Sequence, residues 1–143
     1  MNFLTRFGIF VVSLIALDRI SKALVLHYCA PHCTFNRGIS WGMLNYENST
    51  VFIILTAVVI LITAALAIYA FRRWQAGFAI WGEILILAGS LSNIIDRMLY
   101  GGVVDFIELR VGSWVGPAFN IADSMVVIGV ALMAYELVFN TKR

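Results

Sequence analysis

Two short polar stretches, Val103-Val104-Asp105-Phe106 and Phe119-Asn120-Ile121-Ala122-Asp123-Ser124, each set one aspartate among residues that otherwise read as membrane. A carboxylate in such surroundings is costly, by about 2.5 to 3.5 kcal/mol near a helix centre on insertion scales. Two in so small a protein point to a site. If Asp105 and Asp123 face each other, they cannot both ionise easily and one proton is shared. An ionised carboxylate that takes a proton from water, beside a protonated one that gives a proton to a carbonyl or leaving amine, is enough to hydrolyse a peptide bond. A helix start beginning near Asn120 would favour the charged form of Asp123. The proton is therefore expected on Asp105, within a titration that belongs to the pair. Both histidines, His27 and His32, fall in one loop, so a Ser-His-Asp set is not expected.

Other polar residues sit at spacings that bring them toward such a pair. Gly89 and Asn93 are i, i+4 and share a helical face, where a small residue admits a neighbouring backbone. Asn93 is an amide placed deep in an apolar run and needs a partner. Asn120 and Asp123 stand three apart in the first turn of the fourth run, on one face. Asp123 reads either as a first-turn cap or as a reactive group. Asp18 and Lys22, also i, i+4, read as an ion pair tethering a helix end or as site residues. Asp96 and Arg97 read as a capping and salt-bridge pair or as site residues, and Asn36 as a turn residue or a site residue.

The chain has 143 residues, of which 62% are hydrophobic and only 13% charged. A soluble domain would sit nearer half apolar and about a quarter charged. The apolar residues collect into four runs, about 3–27, 51–71, 78–99 and 119–139, each near the roughly 20 residues that cross a bilayer core. The expected fold is a single all-α integral membrane domain with four transmembrane helices, a small periplasmic β-element and a surface-lying segment. Arg6, Arg72, Arg73, Lys142 and Arg143 flank the ends that an even number of spans puts on one side, so both termini are expected in the cytoplasm. Loops 28–50 and 100–118 then lie outside, with Trp41 and Tyr46 suited to the interfacial aromatic belt. Arg6 and the run to Leu17 resemble a signal peptide, but Asp18, Arg19 and Lys22 follow without a small-residue cleavage site, so the first span is expected to stay uncleaved. A net charge of +2 without a basic stripe argues against nucleic-acid binding.

Cys29 and Cys33 are the only cysteines and lie beside both histidines. They suit a disulfide in an oxidising outer compartment or unpaired thiols, and less well a zinc set. Residues 34–46 and 103–112 alternate in a way that fits a short strand or a segment lying on the membrane. Gly101-Gly102 breaks the third run, and Pro117 suits the start of the fourth.

The blocks Asp18-Arg19-Ile20-Ser21-Lys22, Asn36-Arg37-Gly38, Gly89-Ser90-Leu91-Ser92-Asn93-Ile94-Ile95-Asp96-Arg97, Val104-Asp105-Phe106 and Phe119-Asn120-Ile121-Ala122-Asp123 occur in this order over nearly the whole chain. Taken together they resemble the lipoprotein signal peptidases, the bacterial signal peptidase II family. The resemblance implies an aspartyl endopeptidase of the bacterial inner membrane, with its active site at the periplasmic side. It would cut the signal peptide from prolipoproteins just before a diacylglyceryl-modified cysteine. It further implies Asp105 and Asp123 as the catalytic pair, and Asn36, Gly89, Asn93, Arg97 and Asn120 as residues that line or support the site. Asp18, Lys22 and Asp96 would be accessory. The expected partners are lipid-modified prolipoproteins and membrane lipid, acted on by a monomer with no metal and no other cofactor. The sequence departs from the family at Ser40-Trp41-Gly42, at Ser92, in a short loop before Asn36 and in its Cys/His cluster.

Three other readings compete. A small proton-coupled transporter also places carboxylates in membrane, but both aspartates fall beside loop breaks and no internal repeat is visible. A non-catalytic paralogue would not need both aspartates. A presenilin-like protease would carry a Gly-x-Gly-Asp signature, which is absent.

Overall fold

The computed structural model describes residues 3–28, 33–38 and 49–139. Its frame is four helices, α1 (Phe3–Tyr28), α2 (Ser49–Gln75), α3 (Trp81–Tyr100) and α4 (Ile121–Phe139). At about 1.5 Å per residue each reaches roughly the 30 Å of a hydrocarbon core. By length and composition α2 and α4 are apolar enough to cross a membrane. In α1 and α3 the apolar runs are interrupted by charged residues, and these point inward: Asp18, Lys22, Glu83 and Asp96 are fully buried. Apolar side chains such as Val12, Leu61, Met98 and Leu137 face out instead. Polar groups inside and hydrocarbon outside is the distribution expected when the solvent is lipid.

Helix α3 is the hub, packed on α1, α2 and α4. Its approach to α4 depends on glycine. A Cβ added to Gly82 would lie 2.7 Å from the Gly129 carbonyl oxygen, and one on Gly129 would lie 2.6 Å from the Gly82 carbonyl oxygen. At Gly89 an added Cβ would run into the Ala122 carbonyl oxygen, so no side chain fits there. Small residues at a crossing let two backbones pack without a hydrophobic driving force.

The third apolar run, expected from residue 78, becomes helical only at Trp81, after Gly77 adopts a φ of 84°. Asp96 and Arg97 do not close α3. It continues to Tyr100 and ends at Gly101, whose φ of 66° is left-handed and whose N–H returns to the Arg97 carbonyl. The fourth run loses its first residues in the same way. Phe119 bridges to Ile107, and the helix starts at Ile121, four residues past Pro117.

Between α3 and α4 the chain is built of short strands. Strand β1 (Thr34–Asn36) pairs antiparallel with β2 (Val103–Asp105), Thr34 opposite Asp105 and Asn36 opposite Val103. Strands β3 (Arg110–Val111) and β4 (Trp114–Val115) form a hairpin turned through Gly112, at a φ of 60°. The segment expected over 103–112 is thus strand and hairpin. The expected disulfide or zinc set involves Cys29 and His32, and the aromatic-belt assignment involves Trp41 and Tyr46; all four lie outside the described residues, as does the rest of the 34–46 segment beyond Gly38.

Candidate active site

Val103 and Val104 are β-branched and hold β2 extended, which delivers Asp105 to a buried position 1% exposed. On the pleated pair, Asn36 and Asp105 are diagonal neighbours on one face. Asn36 Nδ2 donates to Asp105 Oδ2 at 2.9 Å, while Asn36 Oδ1 accepts the Gly38 N–H at 2.8 Å. The second bond fixes which way the amide points, so Asn36 both closes a turn and reaches the Asp105 carboxylate.

Asp123 comes from the other direction. Asn120 is the residue before α4, and its Oδ1 accepts the Asp123 backbone N–H at 2.9 Å, a side-chain cap three residues into the helix. The same amide turns its Nδ2 to Asp105 Oδ1 at 2.7 Å. Asn120 therefore precedes the first turn instead of belonging to it, and it joins the segments that carry the two aspartates. Asn93 on α3 completes the ring: its Nδ2 donates to Asp123 Oδ1 at 2.8 Å, and its Oδ1 lies 3.3 Å from Asn120 Nδ2.

Beneath this ring lies a buried ionic cluster. Lys22 Nζ donates to Asn93 Oδ1 at 2.9 Å and pairs with Asp18 and Asp96 at 2.7 Å each. All three ammonium donors are thereby used. The bond to Asn93 leaves that amide only one orientation, Nδ2 toward Asp123. Asp18 reaches further. It accepts the Ser92 hydroxyl at 2.6 Å and the Ala122 N–H at 2.8 Å, satisfying an orphan donor at the start of α4 from a different helix. Asp96 accepts the Val104 N–H at 3.1 Å and pairs with Arg19. One cluster thus holds both the strand that ends in Asp105 and the helix that begins before Asp123.

Burial raises the Asp105 carboxyl to about 6. Hydrogen bonds from Asn36 and Asn120 and the Lys22 charge oppose the rise, while the Asp123 charge adds to it. Arg97 does not touch either carboxylate by hydrogen bond. It donates to the Gly38 carbonyl and to Thr56 Oγ1 at 3.5 Å, with its guanidinium over the Phe52 ring. Gly89 likewise acts on backbone, admitting the Ala122 carbonyl one residue before Asp123.

A cavity of about 1160 Å³ opens at this point, with Asn36, Asn93, Arg97 and Asp123 at one end and apolar residues of α2 and α4 along its walls. Asp123 also borders a second, apolar cavity of about 470 Å³ beside Trp114 and Phe119. Among the described residues no group of three or more His, Cys, Asp or Glu is placed to hold a metal. Sequence reasoning missed Arg19, Thr56 and the supporting bond from Ser92. Arg19 stands next to Asp18 and was the one with a local signal. The other two are ordinary small polar residues in apolar runs.

Comparison with known proteins follows the same lines. The profile of the family described as Signal peptidase (SPase) II matches residues 10–139. The chain is 37% identical over 144 residues to a lipoprotein signal peptidase of Thermodesulfovibrio yellowstonii, covering 92% of each. It is 32% identical to one of Staphylococcus carnosus, covering 92% of this chain and 89% of that one. It is also similar to two solved structures described as a bacterial membrane enzyme. One has a TM-score of 0.71 at 26% identity, covering 99% of this chain and 94% of that one. The other has a TM-score of 0.70 at 31% identity, covering 98% and 97%.

Proposed function

The chain belongs to the signal peptidase II family, proteases of lipoprotein processing, and on that premise we propose that Asp105 and Asp123 are its catalytic pair. The observation that carries this is the Asn120 amide, bonded to the Asp105 carboxylate at one end and to the Asp123 backbone at the other. A water held between the carboxylates loses a proton to ionised Asp123 as its oxygen attacks the scissile carbonyl carbon. Asp105 gives its proton to the carbonyl oxygen. Collapse of the tetrahedral diol breaks the C–N bond: the proton on Asp123 passes to the leaving amine, and one hydroxyl proton of the diol returns to Asp105, leaving a carboxylic acid. The raised Asp105 carboxyl suits the acid role, and the α4 start suits the base role of Asp123.

Asn36, Asn93 and Asn120 orient the carboxylates. Arg97 holds the Gly38 backbone at the rim, and Gly89 lets α4 sit close enough. Asp18, Lys22 and Asp96 brace this arrangement from below. The substrate is a lipid-modified prolipoprotein cut before its diacylglyceryl cysteine; its acyl chains stay in the bilayer, so water and carboxylates must be brought to it. The enzyme works as a monomer with four spans in the bacterial inner membrane, termini in the cytoplasm and the aspartates on the periplasmic side. Arg72 and Arg73, at the end of α2 remote from Asp105, support that orientation. The transporter reading is not favoured by the family.

The test is cleavage of a diacylglyceryl-modified precursor by protein reconstituted in bilayers. Asp105→Asn and Asp123→Asn should each lose on the order of 10² to 10⁴ in kcat while inserting normally. Turnover retained in either variant would remove that residue from the chemistry.

A further inference from the structure

The large cavity does not stop at Asp123. It runs along α2 and α4 to Arg73 and Glu136, which line its far end. There Arg73 pairs with Glu136 at 2.8 Å and with Glu83, so one cation is shared by two carboxylates from different helices. The group carries one formal negative charge in excess. Glu83 is fully buried, and its Oε2 has no hydrogen-bond partner among the described residues. Glu83 does not line the cavity; Arg73 and Glu136 do, so the excess charge stands at the cavity's end and calls for an explanation.

Distance supplies one. Glu136 is thirteen residues beyond Asp123 on the same helix, or about 20 Å along the axis. A signal peptide has an apolar stretch of about 7 to 15 residues preceded by a basic segment. Wound as a helix in the groove, with its scissile bond at the aspartates, about 13 apolar residues would bring the basic segment to Glu136, with Glu83 buried behind it. The end in question is also the one flanked by Arg72, where a substrate's cytoplasmic end would lie.

We propose that the Arg73–Glu83–Glu136 group is a second substrate subsite, which receives a lysine or arginine preceding the apolar stretch of the signal peptide and so measures that stretch against the catalytic pair. The inference rests on the proposed peptidase function. An incoming ammonium pairs with Glu136 and neutralises the excess charge to which buried Glu83 contributes. Arg73, held over the Tyr69 and Phe78 rings, keeps both carboxylates in place when the groove is empty.

The experiment uses the full chain in phosphatidylcholine nanodiscs, a lipid without net charge. Synthetic diacylglyceryl-modified precursors carry about 13 apolar residues after either Lys-Lys or Gln-Gln. The parent protein should cleave the Lys-Lys precursor with roughly tenfold higher kcat/KM, mainly through KM. Glu136→Gln and Glu83→Gln should each bring that ratio toward one, and Glu136→Lys should favour a Glu-Glu precursor. A tie between helix ends would alter stability but not the ratio. A second measurement needs no variant: shortening the apolar stretch to about 7 residues should abolish the lysine advantage in the parent protein. Equal kcat/KM for the two long precursors, or a ratio that survives Glu136→Gln, would overturn the subsite while leaving the peptidase intact. Failure of the parent protein to cleave any precursor would overturn the function, and the subsite with it.

Discussion

Asn120 donates to Asp105 across 2.7 Å, joining the residue before α4 to the last residue of β2. The bond matters because its other end is committed: Asn120 Oδ1 caps the helix at Asp123. Displacing this one amide therefore disturbs both carboxylates.

Replacing Asn120 separates its two duties. Asn120→Ala should cost about 1 kcal/mol of stability through the lost cap and about 10²-fold in kcat through the lost donor. Asn120→Asp keeps a capping oxygen but sets a third carboxylate against Asp105. Its melting temperature should stay closer to the parent's while its activity falls as far. Thermal unfolding in micelles, read beside kcat, distinguishes the two. Full activity in Asn120→Asp would show that the donor is not needed.

The raised Asp105 carboxyl has a defined pH signature. A carboxyl near 6 in the folded state and near 3.8 in the unfolded state binds its proton more tightly when folded. Its contribution to stability is therefore largest below about 4 and is lost as pH rises through about 6. Asp105→Asn should remove that slope from melting curves taken between those values. If Asp105 is the acid, kcat/KM should fall above about 6 as its proton is lost. A flat rate profile from pH 5 to 8 would contradict this assignment.

Lys22 sits between two fully buried carboxylates. Lys22→Met leaves Asp18 buried without its cation and Asp96 with Arg19 alone, and should destabilise by about 3 to 5 kcal/mol. Adding Asp18→Asn to Lys22→Met should recover part of the loss. If the double variant is no more stable than the single one, the Asp18 charge is not what Lys22 balances.

At Gly89 the limiting contact is backbone, which cannot rotate away. Gly89→Ala should cost about 1 to 3 kcal/mol and lower activity by shifting the start of α4. Gly8→Ala is the control, because an added Cβ there meets nothing within 4 Å. It should be neutral or slightly stabilising through helix propensity. Equal melting temperatures for the two variants would show that α3 and α4 can part without cost.

Much of this protein is legible in its residues alone. Hydropathy is additive along the chain, so the four apolar runs that became α1 to α4 stand out without any knowledge of contacts. The two aspartates stand out because a carboxylate in such runs is too costly to be incidental. The pairing of Asp18 with Lys22 follows from helical spacing.

Partners far apart in the chain are different. Nothing local says that Asp18 reaches the N–H of Ala122, 104 residues on, or that Asp96 holds Val104 instead of ending its helix. Glu83, Arg73 and Glu136 come from three helices and share no motif. Helix ends differ from the apolar runs by up to four residues, as where α2 continues to Gln75, Gly77 delays α3, and Asn120 and Phe119 delay α4. A hydrogen bond is decided over a few tenths of an ångström by how whole helices pack, and no one-dimensional pattern carries that information. The amino-acid order by itself determined that carboxylates and amides must be hidden within a membrane frame; only the packing of α3 against its neighbours decided which amide holds which carboxylate.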